Sequence, residues 1–289
     1  MKYRKLIAPY LISNGRKFRL AQIRPDDGAR QELKKRIDEL MAGSVARLSE
    51  LQEKLYAQNT WGMLIIFQAM DAAGKDSTIK HVLSGVNPQG CEVFSFKQPS
   101  AEELNHDFLW RAAQRLPERG RIGIFNRSYY EETLVVRVHR ELLDKQKLPD
   151  GLTGPGIWQE RFEDIRSFER YLTRNGISLL KIFLHVSKDE QQRRFLKRLD
   201  KPEKNWKFST ADLEERKFWK DYMDAYEEMI RHTATPHAPW LVVPADHKWF
   251  AQLVVAAAII EKLDSLKLSF PRMTAEQKDQ LKKARTRLA

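Results

Sequence analysis

The sequence contains little cysteine and no long apolar runs. Cys91 is the only cysteine among 289 residues, which excludes an internal disulfide and a zinc site built from several thiolates. We expect it to be a small buried or half-buried thiol. A membrane-spanning helix needs roughly 20 consecutive apolar residues, and no stretch of the sequence approaches that length.

The N-terminus also lacks the features of a signal peptide. The first 18 residues mix five basic side chains with short apolar runs. They have neither a long apolar core nor a small-residue cleavage site. We therefore expect a cytoplasmic protein.

Two motifs of hydrolytic enzymes are missing as well. The seven histidines form no H-E-x-x-H or other metal-binding spacing, and there is no G-x-S-x-G. These absences remove support for zinc-dependent hydrolysis and for a serine triad. None of the histidines is therefore a candidate for catalysis.

What the sequence does have is an excess of positive charge. Fifty-one lysines and arginines face 39 acidic residues, which gives a net charge of +12 and a pI near 9.6. Such a balance favours a polyanionic partner: nucleic acid, an acidic membrane surface or a phosphate-rich small molecule. The charge alone does not choose among them.

The stretch 63–78 (M-L-I-I-F-Q-A-M-D-A-A-G-K-D-S-T) is the most informative part of the chain. An apolar run leads into the small residues Ala72, Ala73 and Gly74, and Lys75 begins a helical segment. Small residues let the backbone approach a phosphate closely, and the first N–H groups of a helix point at an anion. Lys75 would add the charge that reaches the outer phosphates. We therefore predict a strand, a phosphate loop and a helix.

This stretch departs from the G-x-x-x-x-G-K-[ST] pattern in two places. Ala69 stands where the first glycine would be, and Asp76 follows the lysine, so that Ser77 comes one position late. The strand before and the helix after supply the context that the motif requires. The alternative is an ordinary strand-to-helix turn with a surface lysine at position 75.

Four further apolar runs predict strands, and segments with apolar residues at three- and four-residue spacing predict the helices between them. We expect one α/β domain over residues 1–289 with a five-stranded parallel sheet. Its parts are an N-terminal extension and amphipathic helix, a core, and a charged C-terminal tail that is solvated or contacts another subunit. Their bounds are 1–57, 58–263 and 264–289, and the strands are expected at 64–67, 92–96, 122–125, 177–186 and 239–244.

A lid is predicted at about residues 188–215, within the core. This segment reads as helix, turn and helix, and it carries several cations that could swing over phosphates. Its predicted phosphate-binding side chains are Arg194, Arg198, Lys204 and Lys207.

Polar residues follow the second and third predicted strands. Lys97 follows the second, and Asn126, Arg127, Tyr130 and Glu131 follow the third. Because the carboxyl ends of parallel strands meet at one edge of a sheet, both loops are expected to face the same crevice. Arginine there offers a fork suited to bidentate contact with phosphate.

Asp71 is unusual beside a phosphate loop, because a carboxylate repels phosphate unless Mg²⁺ lies between them or a proton moves. It is therefore a candidate metal ligand, and the alternative is a turn carboxylate. Asn126 stands where many nucleotide-binding proteins carry a metal-orienting aspartate, so Glu131 or Glu132 could supply the missing carboxylate. Tyr130 could stack on a base, and core packing is its alternative.

Five motifs resemble the polyphosphate kinase 2 family, in consistent order over residues 17–263: Q-A-M-D-A-A-G-K-D-S-T, S-F-K-Q-P-S-A-E-E-L, I-G-I-F-N-R-S-Y-Y-E-E, W-K-F-S-T-A-D-L and A-P-W-L-V-V-P-A-D-H-K-W. The resemblance implies a P-loop kinase-like three-layer sandwich with a helical lid. It also implies reversible, Mg²⁺-dependent transfer of the terminal phosphoryl group of inorganic polyphosphate to a nucleotide.

By the same likeness Asp71, Lys75 and Arg127 form the catalytic core, Arg194 and Arg198 close on the phosphates, and Lys97 tracks the polyphosphate. N-R-S-Y-Y-E-E is similar to the subgroup that accepts both nucleoside mono- and diphosphates. The implied partners are AMP, ADP, ATP and guanine nucleotides. The family's multimeric habit implies a homodimer or homotetramer.

The sequence is also compatible with two other functions. An ATP-dependent nucleotide or nucleoside kinase would share the loop and the lid. A nucleic-acid-binding module is suggested by the charge and by Trp206 among lysines, but the sequence has no recognition motif for it. We therefore expect binding neither to nucleic acid nor to membranes.

Overall fold

The structure is a computed structural model that describes residues 3–27, 31–149, 151–206 and 209–288, with only the backbone at positions 31 and 204. Within these residues one six-stranded sheet runs in the order β1-β6-β5-β2-β4-β3. The strands are β1 Leu11–Ile12, β2 Gly62–Ala69, β3 Cys91–Ser95, β4 Ile122–Asn126, β5 Ile177–His185 and β6 Trp240–Pro244.

Strands β2 to β6 are parallel, which confirms the five predicted strands. The sixth strand, β1, was not predicted. It pairs antiparallel with β6 at the edge of the sheet and lies in the predicted N-terminal extension. A two-residue strand leaves no periodic pattern in the sequence, so only the pairing reveals it.

The helices of the described residues alternate with the strands. The α-helices are α1 Tyr3–Ile7, α2 Gln31–Lys35, α3 Ile37–Gln58, α4 Lys75–Val82, α5 Ala101–Leu104, α6 Trp110–Ala113, α7 Val135–Val138, α8 Ile157–Arg174, α9 Lys188–Leu199, α10 Pro202–Asn205, α11 Thr210–Glu215, α12 Trp219–Thr233, α13 Lys248–Ser265 and α14 Ala275–Leu288. Short 3₁₀ turns lie at Ala8–Tyr10, Leu20–Gln22, Pro88–Gly90, Tyr129–Thr133, Arg140–Leu142, Asp144–Gln146 and Arg216–Phe218.

The long helices cover the sheet. All eight residues of β2 are buried, so its two faces are both covered, as a central parallel strand requires. Helices α1, α3, α4 and α13 pack together, and α8 packs with α12. None of the described helices combines the length and apolar character of a membrane span.

The segment 100–116 has the sequence signals of one helix that begins with a capping box of Ser100 and Glu103, but the structure has two single turns there, α5 and α6. The capping box is present, since Ser100 and Glu103 cap each other's N–H groups. The Asp107 carboxylate then accepts from the N–H of Leu109, and such local bonds compete with a continuous helix.

The fold brings three loops together. Strand β2 lies between β4 and β5, so the loops that follow these three strands are neighbours at the carboxyl edge of the sheet. Helices α9, α10 and α11, in the predicted lid, follow β5. The predicted tail ends in α14, whose described residues are all exposed.

Candidate active site

Residues 70–74, called loop 70–74 here, join β2 to α4. Ala72 and Gly74 have φ values of 60° and 107°, in the left-handed region. Glycine adopts this conformation freely, whereas in alanine the β-carbon makes it sterically unfavourable. The result is a tight turn that places the first N–H groups of α4, which lack intrahelical partners, at the end of the sheet.

Lys75 is the first residue of α4, and its side chain turns back toward β2. Its Nζ donates to the carbonyl oxygen of Ala69 at 2.8 Å. Burial lowers the pKa of the Lys75 ammonium, while the carboxylate of Asp71 acts against that shift. A half-buried cation next to a turn of small residues is suited to hold an anion.

Arg127 lies directly after β4 with φ 64°, and its N–H donates to the carbonyl of Phe67 at 3.0 Å. Its Nη2 donates to Asp71 Oδ1 at 3.0 Å, and its Nη1 lies 3.5 Å from Glu131 Oε2. The carboxylates of Glu131 and Asp71 raise the pKa of Arg127. The guanidinium is therefore held in place by two carboxylates.

The three predicted catalytic side chains, Asp71, Lys75 and Arg127, share one cavity of about 670 Å³. The lid contributes Arg198, and most of the other predicted phosphate-binding residues also line it. The lining is Asp71, Ala72, Ala73, Gly74, Lys75, Asp76, Ser77, Ser95, Phe96, Lys97, Gln98, Asn126, Arg127, Arg194, Lys197, Arg198 and Lys248.

Glu131 lies elsewhere, in a second cavity of about 150 Å³ on the other side of Arg127. Asp71 and Arg127 line both cavities. The second one is otherwise lined by carboxylates, tyrosines and apolar groups: Ala69, Met70, Glu131, Val135, Glu215, Tyr222 and Tyr226. The Asp71–Arg127 pair thus lies between a basic cavity and a small acidic one.

Tyr130 does not face either cavity, so its predicted contact with a nucleotide is wrong for this structure. The side chain is 0% exposed. Its hydroxyl donates to Glu169 Oε1 at 2.7 Å and accepts from Lys181 Nζ at 3.0 Å. Core packing, the alternative reading of this residue, is correct.

Arg194 was predicted to close on the phosphates, and in this structure its guanidinium is instead bound to the protein. It lies in the wall of the cavity, but its Nε donates to Glu190, and its Nη1 and Nη2 donate to backbone carbonyls. The hydrogen bonds of this guanidinium are therefore made to the protein itself. The side chain of Lys204, and Lys207 altogether, lie outside the described residues.

Two of the remaining predicted side chains, Asn126 and Arg198, have polar partners within the protein. Asn126 Nδ2 donates to Asp76 Oδ1 at 2.8 Å across the cavity. Arg198 Nη1 lies 3.8 Å from Asp212 Oδ2. Lys97 is exposed at the rim.

Among the described residues, no cluster of three or more His, Cys, Asp or Glu side chains could hold a metal on its own. Mg²⁺, however, is commonly held by one or two carboxylates together with substrate phosphates. Asp71 meets that condition, since its carboxylate lines the basic cavity. Glu131 fits less well, because it faces the second cavity and its nearest charged neighbour is Arg127.

Two lysines of the cavity were not predicted as site residues. Lys248 is the first residue after the loop that follows β6. It therefore also lies at the carboxyl edge of the parallel sheet, where ligands usually bind. Lys197 precedes the predicted Arg198 on α9. Gln191 was also missed: its Nε2 donates to the carbonyl of Asp71 at 2.9 Å, and no sequence pattern signals such a contact.

Comparison with known proteins gives concordant matches. Residues 31–271 match the family model described as polyphosphate kinase 2. The ADP-polyphosphate phosphotransferase of Rhodopseudomonas palustris is 56% identical over 258 residues, which cover 89% of each chain. The AMP/ADP-polyphosphate phosphotransferase of Meiothermus ruber is 44% identical over 271 residues, 93% of this chain and 97% of that one.

The fold agrees with a solved structure. The crystal structure of polyphosphate kinase 2 from Arthrobacter aurescens TC1 superposes with a TM-score of 0.84 at 38% sequence identity. The match covers 94% of this chain and 95% of that one.

Proposed function

Because the chain belongs to the polyphosphate kinase 2 family, it is a polyphosphate-dependent nucleotide kinase, and we propose that it transfers the terminal phosphoryl group of polyphosphate reversibly to AMP and ADP. The observation that carries this proposal is the shared cavity of Asp71, Lys75 and Arg127. The matches to relatives named for ADP and for AMP/ADP support the choice of acceptors.

Polyphosphate is placed in the basic cavity. Lys75, Lys97, Arg127, Lys197 and Arg198 line it, together with Lys248. These cations outnumber the two carboxylates of the lining, Asp71 and Asp76. A linear polyanion gains most from such a groove, because each phosphate meets a positive group along its length.

The acceptor is placed at the second cavity. The carboxylates of Glu131 and Glu215 would repel a phosphate chain, but their oxygens can accept hydrogen bonds from ribose hydroxyls or an exocyclic amine. Tyr222 and Tyr226, which are largely buried, contribute to the apolar part of the lining. The acceptor phosphate would then reach Arg127, where the two cavities meet.

Phosphoryl transfer asks the protein mainly for positioning and for positive charge around the transferring group. The acceptor oxygen forms a bond to the terminal phosphorus while the anhydride bond to the chain breaks, and the shortened chain leaves. The Lys75 ammonium, the Arg127 guanidinium and the N–H groups of α4 stabilise the charge on that phosphoryl group. Lys197 and Arg198 on α9 would close over the chain and exclude water that would hydrolyse it.

Mg²⁺ is the proposed cofactor, and Asp71 would hold it together with the substrate phosphates. The ion would neutralise charge on the phosphates when bound. Asp71 also fixes Arg127, so the same carboxylate would connect the metal and the guanidinium.

A donor-and-acceptor panel tests this function. AMP, ADP, GMP and GDP are each incubated with polyphosphate and Mg²⁺, and the products are separated by chromatography. We expect ADP from AMP and ATP from ADP, with guanine nucleotides as further acceptors. Phosphorylation that requires ATP and fails with polyphosphate as the sole donor would overturn the proposal.

The acceptor site has its own test. Glu215→Gln keeps the shape of the side chain and removes its charge, so we expect a higher KM for the nucleotide and an unchanged KM for polyphosphate. The reverse result would place the nucleotide outside the second cavity.

A homodimer or homotetramer and a cytoplasmic location remain our expectations. Light scattering of the purified protein tests the oligomeric state.

A further inference from the structure

The backbone carbonyls of loop 70–74 need hydrogen-bond donors from other parts of the protein. For its N–H groups to face a phosphate, its carbonyl groups must point the other way, where each requires a donor. Ala72 in addition holds a left-handed conformation without being glycine. A loop of this kind keeps its shape only if surrounding groups hold it.

That support comes from one face of α9. Gln191 Nε2 donates to the carbonyl of Asp71 at 2.9 Å. Arg194, one helical turn further on, donates from Nη1 to the carbonyls of Ala72 at 3.1 Å and Ala73 at 2.6 Å. Three consecutive carbonyls of loop 70–74 are thus held by two side chains, which are 1% and 7% exposed.

Both supporting side chains are themselves fixed. The Gln191 Oε1 accepts from Arg216 Nη1 at 2.7 Å, which orients the amide so that its N–H group faces Asp71. Arg216 also donates to the carbonyl of Lys188, at the start of α9. The contact with Asp71 therefore depends on the residue that follows the last helix of the predicted lid, α11.

Arg194 is fixed on its other edge. Its Nη2 donates to the carbonyls of Ala245 at 2.6 Å and Asp246 at 3.1 Å, which follow β6, and its Nε donates to Glu190 at 2.7 Å. A single planar group therefore links loop 70–74, the turn after β6 and α9. Lysine could not replace it, because an ammonium lacks the rigid fork.

We infer that Gln191 and Arg194 are positioning residues for the transfer reaction, which act by holding the outward carbonyls of loop 70–74 so that its N–H groups face the polyphosphate. Neither needs to touch the substrate. The inference rests on the proposed role of loop 70–74 as the polyphosphate site. The first turns of α9 would then have a role separate from lid closure.

Gln191→Leu tests the inference against Gln192→Leu, a matched control on the exposed face of the same helix. Loss of one donor to a buried carbonyl should weaken polyphosphate binding about tenfold. We expect a KM for polyphosphate raised by that factor in Gln191→Leu, with a nucleotide KM near that of the unchanged protein. A purely structural role would lower the melting temperature without moving the KM for polyphosphate.

Gln191→Glu is the second variant, in case the leucine variant folds poorly. Its carboxylate keeps the contact with Arg216 and offers no N–H group to Asp71. We expect at least the same rise in the KM for polyphosphate in this variant, because a carboxylate oxygen then faces the carbonyl of Asp71 in place of a donor. A folded Gln191→Glu with an unchanged KM for polyphosphate would overturn the inference.

Arg194→Lys extends the test to the second residue and should raise the KM for polyphosphate more than Gln191→Leu, since it removes two carbonyl contacts with the loop. Lys75→Ala, measured in parallel, distinguishes a failure of the proposed polyphosphate site from a failure of the positioning role. If Lys75→Ala leaves polyphosphate binding unchanged, the role of the loop is wrong. If it abolishes binding while both Gln191 variants behave like Gln192→Leu, only the positioning role is wrong.

Discussion

Lys75 is half-buried and Lys181 is fully buried. They lie near neighbouring strands, and they differ in their partners. Lys181, in the middle of β5, is 0% exposed, and its Nζ donates to Glu169 Oε2 at 2.6 Å, to Tyr130 Oη at 3.0 Å and to the carbonyl of Thr233 at 2.8 Å. Lys75 Nζ instead donates to the carbonyl of Ala69 at 2.8 Å. Burial lowers the pKa of both ammonium groups.

The difference separates a structural cation, Lys181, from the proposed catalytic one, Lys75. Lys181 uses its three donors on the protein, one of them on a carboxylate, and it lines neither the basic cavity nor the second cavity. Lys75 lies in the basic cavity and keeps capacity to bind an anion there. A cation removed from water is stabilised by a partner, and under the proposed function a substrate phosphate would be that partner for Lys75.

Removing Lys75 should have the largest effect on activity. We expect Lys75→Ala and Arg127→Ala to lower kcat by roughly a hundredfold to a thousandfold or more, because each removes a cation from the transferring phosphoryl group. Polyphosphate-dependent formation of ATP from ADP measures the rate, and circular dichroism checks the fold. Near-normal rates in either folded variant would contradict the assignment.

Removing Lys181 should instead affect stability. Lys181→Met leaves the Glu169 carboxylate buried without its cation, which costs about 3–5 kcal/mol of unfolding free energy. Denaturant titration measures the loss. The double variant Lys181→Met with Glu169→Leu is the control and should recover part of it, because no charge then remains unpaired. If Lys181→Met instead kept its stability and lost its turnover, Lys181 would belong to the site.

The two lysines also show what the sequence could reveal. Lys75 follows an apolar strand and a run of small residues, so its place was predictable from the order of residue types. Lys181 lies inside an apolar strand, and its partner Glu169 lies on α8. Nothing in the sequence pattern couples them. The five parallel strands were predictable for the same reason as Lys75, whereas β1 depends on a pairing that is set only in three dimensions.

Side-chain direction was the least predictable feature. Tyr130 comes three residues after Arg127, yet one side chain enters the core and the other faces both cavities. Arg194 and Arg198 lie one turn apart on α9, yet Arg194 donates to backbone carbonyls, whereas Arg198 lines the basic cavity. Burial of each residue depends on which elements pack against it, and the sequence gives no measure of that.

His185, on the same strand as Lys181, offers a third outcome for a buried basic group. Its Nδ1 has no hydrogen-bond partner among the described residues, and burial lowers its pKa from 6.5 to about 4, although Ile23 and Asp246 act against the shift. The folded protein therefore holds it neutral. The unfolded chain binds a proton as the pH falls through 6.5, so stability is lost between pH 6.5 and about pH 4.

This protonation should cost about 2 kcal/mol of unfolding free energy between pH 7 and pH 5. Denaturant titrations at the two pH values measure the loss, and other titrating groups add to it in every variant. His185→Phe, which cannot titrate, isolates the contribution, since its loss should be smaller by that amount. Equal losses in both proteins would mean that His185 is charged in the folded state.

The smallest effect is expected at the rim of the basic cavity. Lys97 is exposed, and an exposed cation interacts with a phosphate through water, so Lys97→Ala should raise the KM for polyphosphate by only about threefold. Salt at roughly 0.5 M should remove most of the difference, because screening acts strongly on exposed charges.

Lys34→Ala, an exposed lysine on α2 outside the cavity lining, makes the same change in net charge and should leave the KM for polyphosphate unchanged. If both variants raise it equally, the overall charge of the protein attracts polyphosphate, and Lys97 has no special place. If Lys97→Ala alone raises it and the effect survives high salt, Lys97 binds the chain directly. It would then belong with Lys75, as a cation whose partner is the substrate.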